Sequence, residues 1–98
     1  MPALERFSLD GKTVVVTGAG RGLGRTMALE AVASGARLAV GSRTVAELET
    51  LRDEIETEGG ECFVHELDVT DVTSIRTFFD AVDEHVGTLD VLVNNAGY

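Results

Sequence analysis

Hydrophobic and polar positions follow two periods along this chain, and the switches between them mark its elements. "KTVVVTG" (12–18) sets three consecutive β-branched valines between Gly11 and Gly18, which predicts a short strand buried on both faces. Leu23 to Ser34 predicts a helix with Leu23, Met27, Ala31 and Val32 on one side, and Gly35 as its stop. "ARLAVGS" (36–42) is a second apolar run. Thr44 offers an N-cap, with Glu47 three residues on as the other half of a capping box. Val45, Leu48, Leu51 and Ile55 follow at 3-3-4 spacing as one apolar stripe, ended by Gly59-Gly60. "CFVHELDV" (62–69) predicts a third strand. Asp71 can cap a third helix, whose apolar residues are Val72, Ile75, Phe79, Val82 and Val86, closed by Gly87. "LDVLV" (89–93) predicts a fourth strand before the final "NNAGY".

The order is therefore β-α-β-α-β-α-β with short connections. Strands alternating with helices of this length predict an α/β fold, a doubly wound parallel sheet (Rossmann-like) with right-handed crossovers. The first three strands are expected in the order 3-2-1, with the fourth on the far side of the first. That reversal opens a crevice at the carboxyl ends of strands one and four, the usual ligand position of such sheets. "TGAGRGLG" (17–24) leaves the first strand there, and "NNAG" (94–97) leaves the fourth.

Length and charge narrow the classes. Ninety-eight residues allow one domain or part of one, with no linker or low-complexity segment. The net charge of −9 argues against nucleic-acid and anionic-membrane partners, which need neutralising Lys and Arg. No apolar run approaches the roughly 18 residues that cross a bilayer, and "MPALERFSLDG" lacks the apolar core of a signal peptide. A single cysteine, Cys62, in an apolar segment fits a small buried hydrophobe and a reducing, cytoplasmic setting. No His, Cys and Asp cluster has metal-ligand spacing, so no metal site is expected. His65 and His85 are expected to be structural or solvated.

The glycine-rich turn carries the chemistry. A strand that ends in glycines and opens a helix presents unpaired N–H groups and the positive end of the helix dipole, both suited to a phosphate. The usual G-x-G-x-x-G spacing fails here, because Leu23 or Arg25 stands where the third glycine belongs. The phosphate-loop pattern G-x-x-x-x-G-K-[ST] fails as well, since no Lys follows. The spacing present is Gly18-x-x-x-Gly22-x-Gly24.

T-G-x-x-x-G-x-G after the first strand and N-N-A-G after the fourth resemble the short-chain dehydrogenases/reductases, in their compact single-domain branch. Thr17, Gly18, Gly22 and Gly24 match the first motif, and Asn94, Asn95, Ala96 and Gly97 match the second. "LDV" (67–69) resembles the family's aspartate-plus-apolar pair. Gly20 is incidental to this match. The resemblance covers the whole chain and implies an NAD(P)-dependent oxidoreductase, with residues 1–98 as the N-terminal, cofactor-binding part of one incomplete Rossmann domain. It implies that Gly18, Gly22 and Gly24 admit a nicotinamide dinucleotide, with the Leu23 backbone near its pyrophosphate. Asp68 would accept from the adenine amino group, and the Val69 backbone would meet the ring. Asn95 would tie the fourth strand to its neighbours, while Ala96 and Gly97 border the adenosine ribose. By themselves, Asp68 reads as a surface acid and Asn94 and Asn95 as turn residues.

An NAD site usually carries an acid at the end of the second strand. Here Ser42 stands in that place, Arg43 follows, and no acid occurs between Ala31 and Ala46. A guanidinium can pair with a 2′-phosphate, and Arg21 in the glycine turn could add a second positive charge. NADP is the expected preference. NAD remains possible if Arg43 is only a solvated residue before the next helix.

The family's general acid or base is a Tyr, with a Lys four residues later and a Ser upstream. Tyr98 is the sole tyrosine and Lys12 the sole lysine, so no catalytic residue is expected among these 98 and the chain as given is expected to be inactive. The resemblance implies a small carbonyl or alcohol substrate, and a homo-oligomer, for a full-length protein. The alternative is a non-catalytic dinucleotide-binding or pairing module. A sheet cut after its fourth strand is expected to expose an unpaired edge and to be marginal or prone to association.

Overall fold

The computed structural model describes residues 8–20 and 22–95. The chain folds as β1 (Thr13–Thr17), α1 (Gly22–Ala33), β2 (Arg37–Ser42), α2 (Val45–Thr57), β3 (Cys62–Glu66), α3 (Val72–His85) and β4 (Val91–Asn94). The four strands form one sheet in the order β3-β2-β1-β4, with every pair parallel. Thr17 is level with Gly41 on one side and Asn94 on the other, so the carboxyl ends of β2, β1 and β4 open on one corner. The expected Rossmann-like order, with its reversal between β1 and β4, is the order observed.

β1 is buried along all five residues because helices cover both faces of the sheet. Val14, Val16, Leu38 and Val40 face α1 and α2, packing with Ala28, Ala31, Leu48, Leu51 and Ile55. Val15 and Ala39 face α3, packing with Leu67, Phe78 and Val82. Each large side chain so buried stabilises the fold by roughly 1.5–3 kcal/mol. At the opposite end from the open corner, the Thr13 N–H donates to Asp90 Oδ2 at 2.9 Å. The Asp90 N–H returns to the Thr13 carbonyl at 3.0 Å, pinning the start of β4 to that of β1.

Several local expectations are corrected. Leu23 does not belong to the buried side of α1: it is 66% exposed, and Gly24, Ala28 and Ala31 face the sheet instead. Small residues at four- and three-residue spacing let this helix approach the strands closely. Val72 is 71% exposed, whereas Phe78, omitted from the predicted stripe, is fully buried in α3. The capping box is not made, since the Thr44 side chain makes no cap bond. Ser42 Oγ instead accepts from the Thr44 N–H at 3.1 Å and closes the turn into α2. Asp71 does cap α3, with Oδ1 accepting from the Thr73 N–H at 2.9 Å and the Ser74 N–H at 3.4 Å. The third strand is shorter than its apolar run, ending at Glu66, with Leu67 bonded back to the Ser42 carbonyl. Cys62 is buried as a free thiol, and burial pushes its pKa up to about 12.

Candidate functional site

The turn from β1 to α1 takes its shape from its glycines. Gly18 and Gly22 have φ of 66° and 62°, a backbone region costly for any residue with a Cβ. Gly22 faces open space, with no atom within 4 Å of where a Cβ would stand. Gly24 is needed for a different reason. A Cβ there would lie 2.2 Å from the Gly18 carbonyl oxygen and 2.5 Å from Asn95 Nδ2. Its absence lets the first turn of α1 settle onto the end of the sheet. The Gly18 N–H donates to the Gly41 carbonyl at 2.7 Å, so the turn leans toward β2.

Thr17 and Asn95 join the two loops. Thr17 Oγ1 donates to Asn94 Oδ1 at 3.0 Å and accepts from the Asn95 N–H at 3.0 Å. Asn95 Nδ2 donates to the Gly18 carbonyl at 3.3 Å. The motif after β4 therefore supports the motif after β1 through direct hydrogen bonds. Beside them, a cavity of about 300 Å³ is lined by Thr17, Leu67, Val69, Ile75, Phe79, Leu92 and Asn94.

The loop after β3 supplies an acceptor. Asp68 Oδ1 accepts from Thr70 Oγ1 at 2.6 Å and from the Thr70 N–H at 2.9 Å. The Asp68 N–H donates to Ser74 Oγ at 2.9 Å, which ties the residue to α3. The Asp68 carboxyl is held below its ordinary pKa, chiefly by the Thr70 hydroxyl and then by the Thr70 N–H. Partial desolvation opposes this shift, and the charge of Arg43 reinforces it. One carboxylate oxygen is thus engaged by Thr70, and the group stays ionised to lower pH than an ordinary aspartate.

Thr17, Gly18, Gly22, Leu23, Gly24, Asn95, Ser42, Arg43, Asp68 and Val69 all lie along the carboxyl edge of the sheet, each at the end of a strand, just past one, or in a helix's first turn. Ser42 spends its hydroxyl on the turn into α2, and Arg43 is exposed with no ion-pair partner among the described residues. Arg21, Ala96 and Gly97, expected at the same edge, lie outside the described residues. Glu47, expected as half of a capping box, instead packs on Gly20 from the first turn of α2, a contact no local pattern signals: a Cβ on Gly20 would lie 2.7 Å from Glu47 Oε1. Gly20, incidental to the motif match, gains a packing role from this close approach. A second cavity of about 320 Å³, lined among others by Arg37, Glu61, Cys62 and His85, sits where β2 and β3 begin and holds none of the expected site residues. Among the described residues no His, Cys, Asp and Glu group could hold a metal ion, and no helix is long and apolar enough to cross a membrane.

A parallel sheet with its order reversed at a glycine turn defines a Rossmann-like α/β unit. The family profile described as short chain dehydrogenase matches residues 12–98, and the chain belongs to that family. An uncharacterized oxidoreductase of Caenorhabditis elegans is 42% identical over 96 residues, covering 96% of this chain and 31% of its own length. The crystal structure of a hydroxysteroid dehydrogenase from Escherichia coli superposes with a TM-score of 0.91 at 33% identity, over 96% of this chain and 40% of that one. An alcohol dehydrogenase from the archaeon Thermococcus sibiricus, complexed with 5-hydroxy-NADP, has a TM-score of 0.81 at 40% identity, over 83% of this chain and 35% of that one. The chain spans about a third of the length of the curated relatives it matches.

Proposed function

We propose that residues 1–98 form the N-terminal, cofactor-binding part of an NAD(P)-dependent oxidoreductase, with NADP preferred over NAD. The observation that carries the reading is the glycine turn itself. Its positive-φ glycines and the close seat of Gly24 bring the amino end of α1 onto the carboxyl ends of β1 and β4, beside the cavity that Thr17, Val69 and Asn94 help to line, and a helix's amino end there suits a phosphate. Family membership and the relative complexed with 5-hydroxy-NADP support a nicotinamide dinucleotide as the ligand. When bound, such a cofactor supplies hydride chemistry. The chain's own groups would orient it: the amino end of α1 at the pyrophosphate, Asp68 at the adenine amino group, and Arg43 at a 2′-phosphate.

Isothermal titration with NADPH and NADH tests this reading. Micromolar binding of NADPH, tighter than NADH, is the expected result, and absence of binding to both would overturn it. Arg43→Ala should weaken NADPH roughly 10- to 100-fold, as expected for charge-assisted hydrogen bonds, and leave NADH within about twofold.

The same proposal includes a carbonyl or alcohol substrate, a homo-oligomer for a longer protein, and a cytoplasmic setting. With no Tyr-x-x-x-Lys among these 98 residues, they are proposed to bind the cofactor without turning over substrate. The exposed apolar side chains of β4, Val91 and Leu92, favour one further reading, a module that pairs with another chain through that strand.

A further inference from the structure

In the order β3-β2-β1-β4, β2 stands between the glycine turn after β1 and the Asp68–Val69 pair after β3. A dinucleotide held at both of those places must carry its adenosine ribose across the end of β2. Two side chains of opposite charge border that crossing. Arg43 directly follows β2 and is exposed. Glu47 reaches the crossing from α2: a Cβ on buried Gly20 would lie 2.7 Å from Glu47 Oε1 and 3.0 Å from Glu47 Cβ. Glu47 is half-buried, and among the described residues its carboxylate has no hydrogen-bond or ion-pair partner.

We infer that Glu47 is a specificity-determining residue that opposes Arg43 at the ribose 2′ position. The inference rests on the dinucleotide reading above. A carboxylate there accepts a hydrogen bond from a 2′-hydroxyl and repels a 2′-phosphate. Arg43 does the reverse. The two side chains then set the balance between the two cofactors, with neither deciding it alone. The place usually taken by an acid at the end of the second strand is filled by Ser42, and Glu47 brings a carboxylate to the same corner from the next helix. A side chain on Gly20 would crowd that carboxylate.

Three chains, wild type, Glu47→Gln and Glu47→Asp, are titrated with NADPH and with NADH by calorimetry, at low and at high salt. Gln keeps the shape against Gly20 and removes the charge. It should tighten NADPH by about three- to fivefold, the size expected of a single surface charge pair, and leave NADH equal or weaker. High salt should shrink the NADPH gain. Asp keeps the charge and should retain the wild-type ratio. An unchanged ratio in Glu47→Gln, or an equal shift of both cofactors, would overturn the inference while leaving the dinucleotide reading intact. Failure of wild type to bind either cofactor would overturn both. Thermal melting by circular dichroism separates a change in discrimination from a loss of fold.

Discussion

Gly24 and Gly20 stand four residues apart in the same turn, yet substitution should affect them differently. A methyl on Gly24 would meet the Gly18 carbonyl and Asn95, neither of which can move without opening the joint between the two loops. Gly24→Ala is expected to cost about 1–3 kcal/mol and to abolish dinucleotide binding. A methyl on Gly20 meets the Glu47 side chain first, whose carboxylate end can swing aside, so Gly20→Ala should cost less than Gly24→Ala. Urea denaturation of the two variants checks the contrast. Asp68 makes a second prediction at this scale. Because its folded pKa is depressed, it contributes stability above its unfolded value, and that contribution is lost as pH falls through the folded value. Thr70→Val removes the largest cause of the depression. The carboxyl should then titrate closer to its ordinary value, read by carbon-13 NMR of the Asp68 side chain, and an unmoved midpoint would contradict the assignment to Thr70.

At the scale of elements, α3 separates capping from packing. Asp71→Ala should cost about 0.5–2 kcal/mol by losing the bonds to the Thr73 and Ser74 N–H groups. Phe78→Ala should cost about 3–5 kcal/mol, since its ring is fully buried against Gly41 and Leu67. Chemical denaturation of both variants should show that order. Helices, strands and their sequence were legible because each apolar run is short, bounded by glycine, and of one period. The inward residue of a helix was harder to read. A stripe begun at Val72 passes through Phe79, and only the position of β2 beneath the helix shows that Phe78 points inward. Leu23 misled for a related reason, because the face of α1 turned to the sheet is made of the small residues Gly24, Ala28 and Ala31, which carry little apolar signal. In place of the Thr44–Glu47 capping box, Ser42 Oγ takes the Thr44 N–H and the Glu47 side chain packs on Gly20. In the candidate site, the residues that belong to short motifs were legible. The Thr17–Asn94 bond and the Glu47–Gly20 packing were not, because each joins segments far apart in sequence, and no local pattern encodes them.

At the scale of the whole molecule, the two sheet edges differ. Leu92 of β4 is 48% exposed and Val91 39%, an apolar surface on a strand with one hydrogen-bonding side open among the described residues. A chain of these 98 residues is expected to self-associate, and Leu92→Lys should lower its weight-average mass in sedimentation experiments at matched concentration. A wild-type chain that sediments as a monomer at all concentrations would contradict this. The bond from Thr17 to Asn94 spans 77 residues, and that span orders events in time. During synthesis β1 leaves the ribosome well before β4, so the β1–β4 pairing cannot form until about 77 further residues have followed Thr17. Through that interval the Gly18 carbonyl has no Asn95 to hold it, and the glycine turn is only half supported. Any ligand that needs the finished glycine turn therefore needs β4 already docked on β1, because Asn95 is what holds the Gly18 carbonyl.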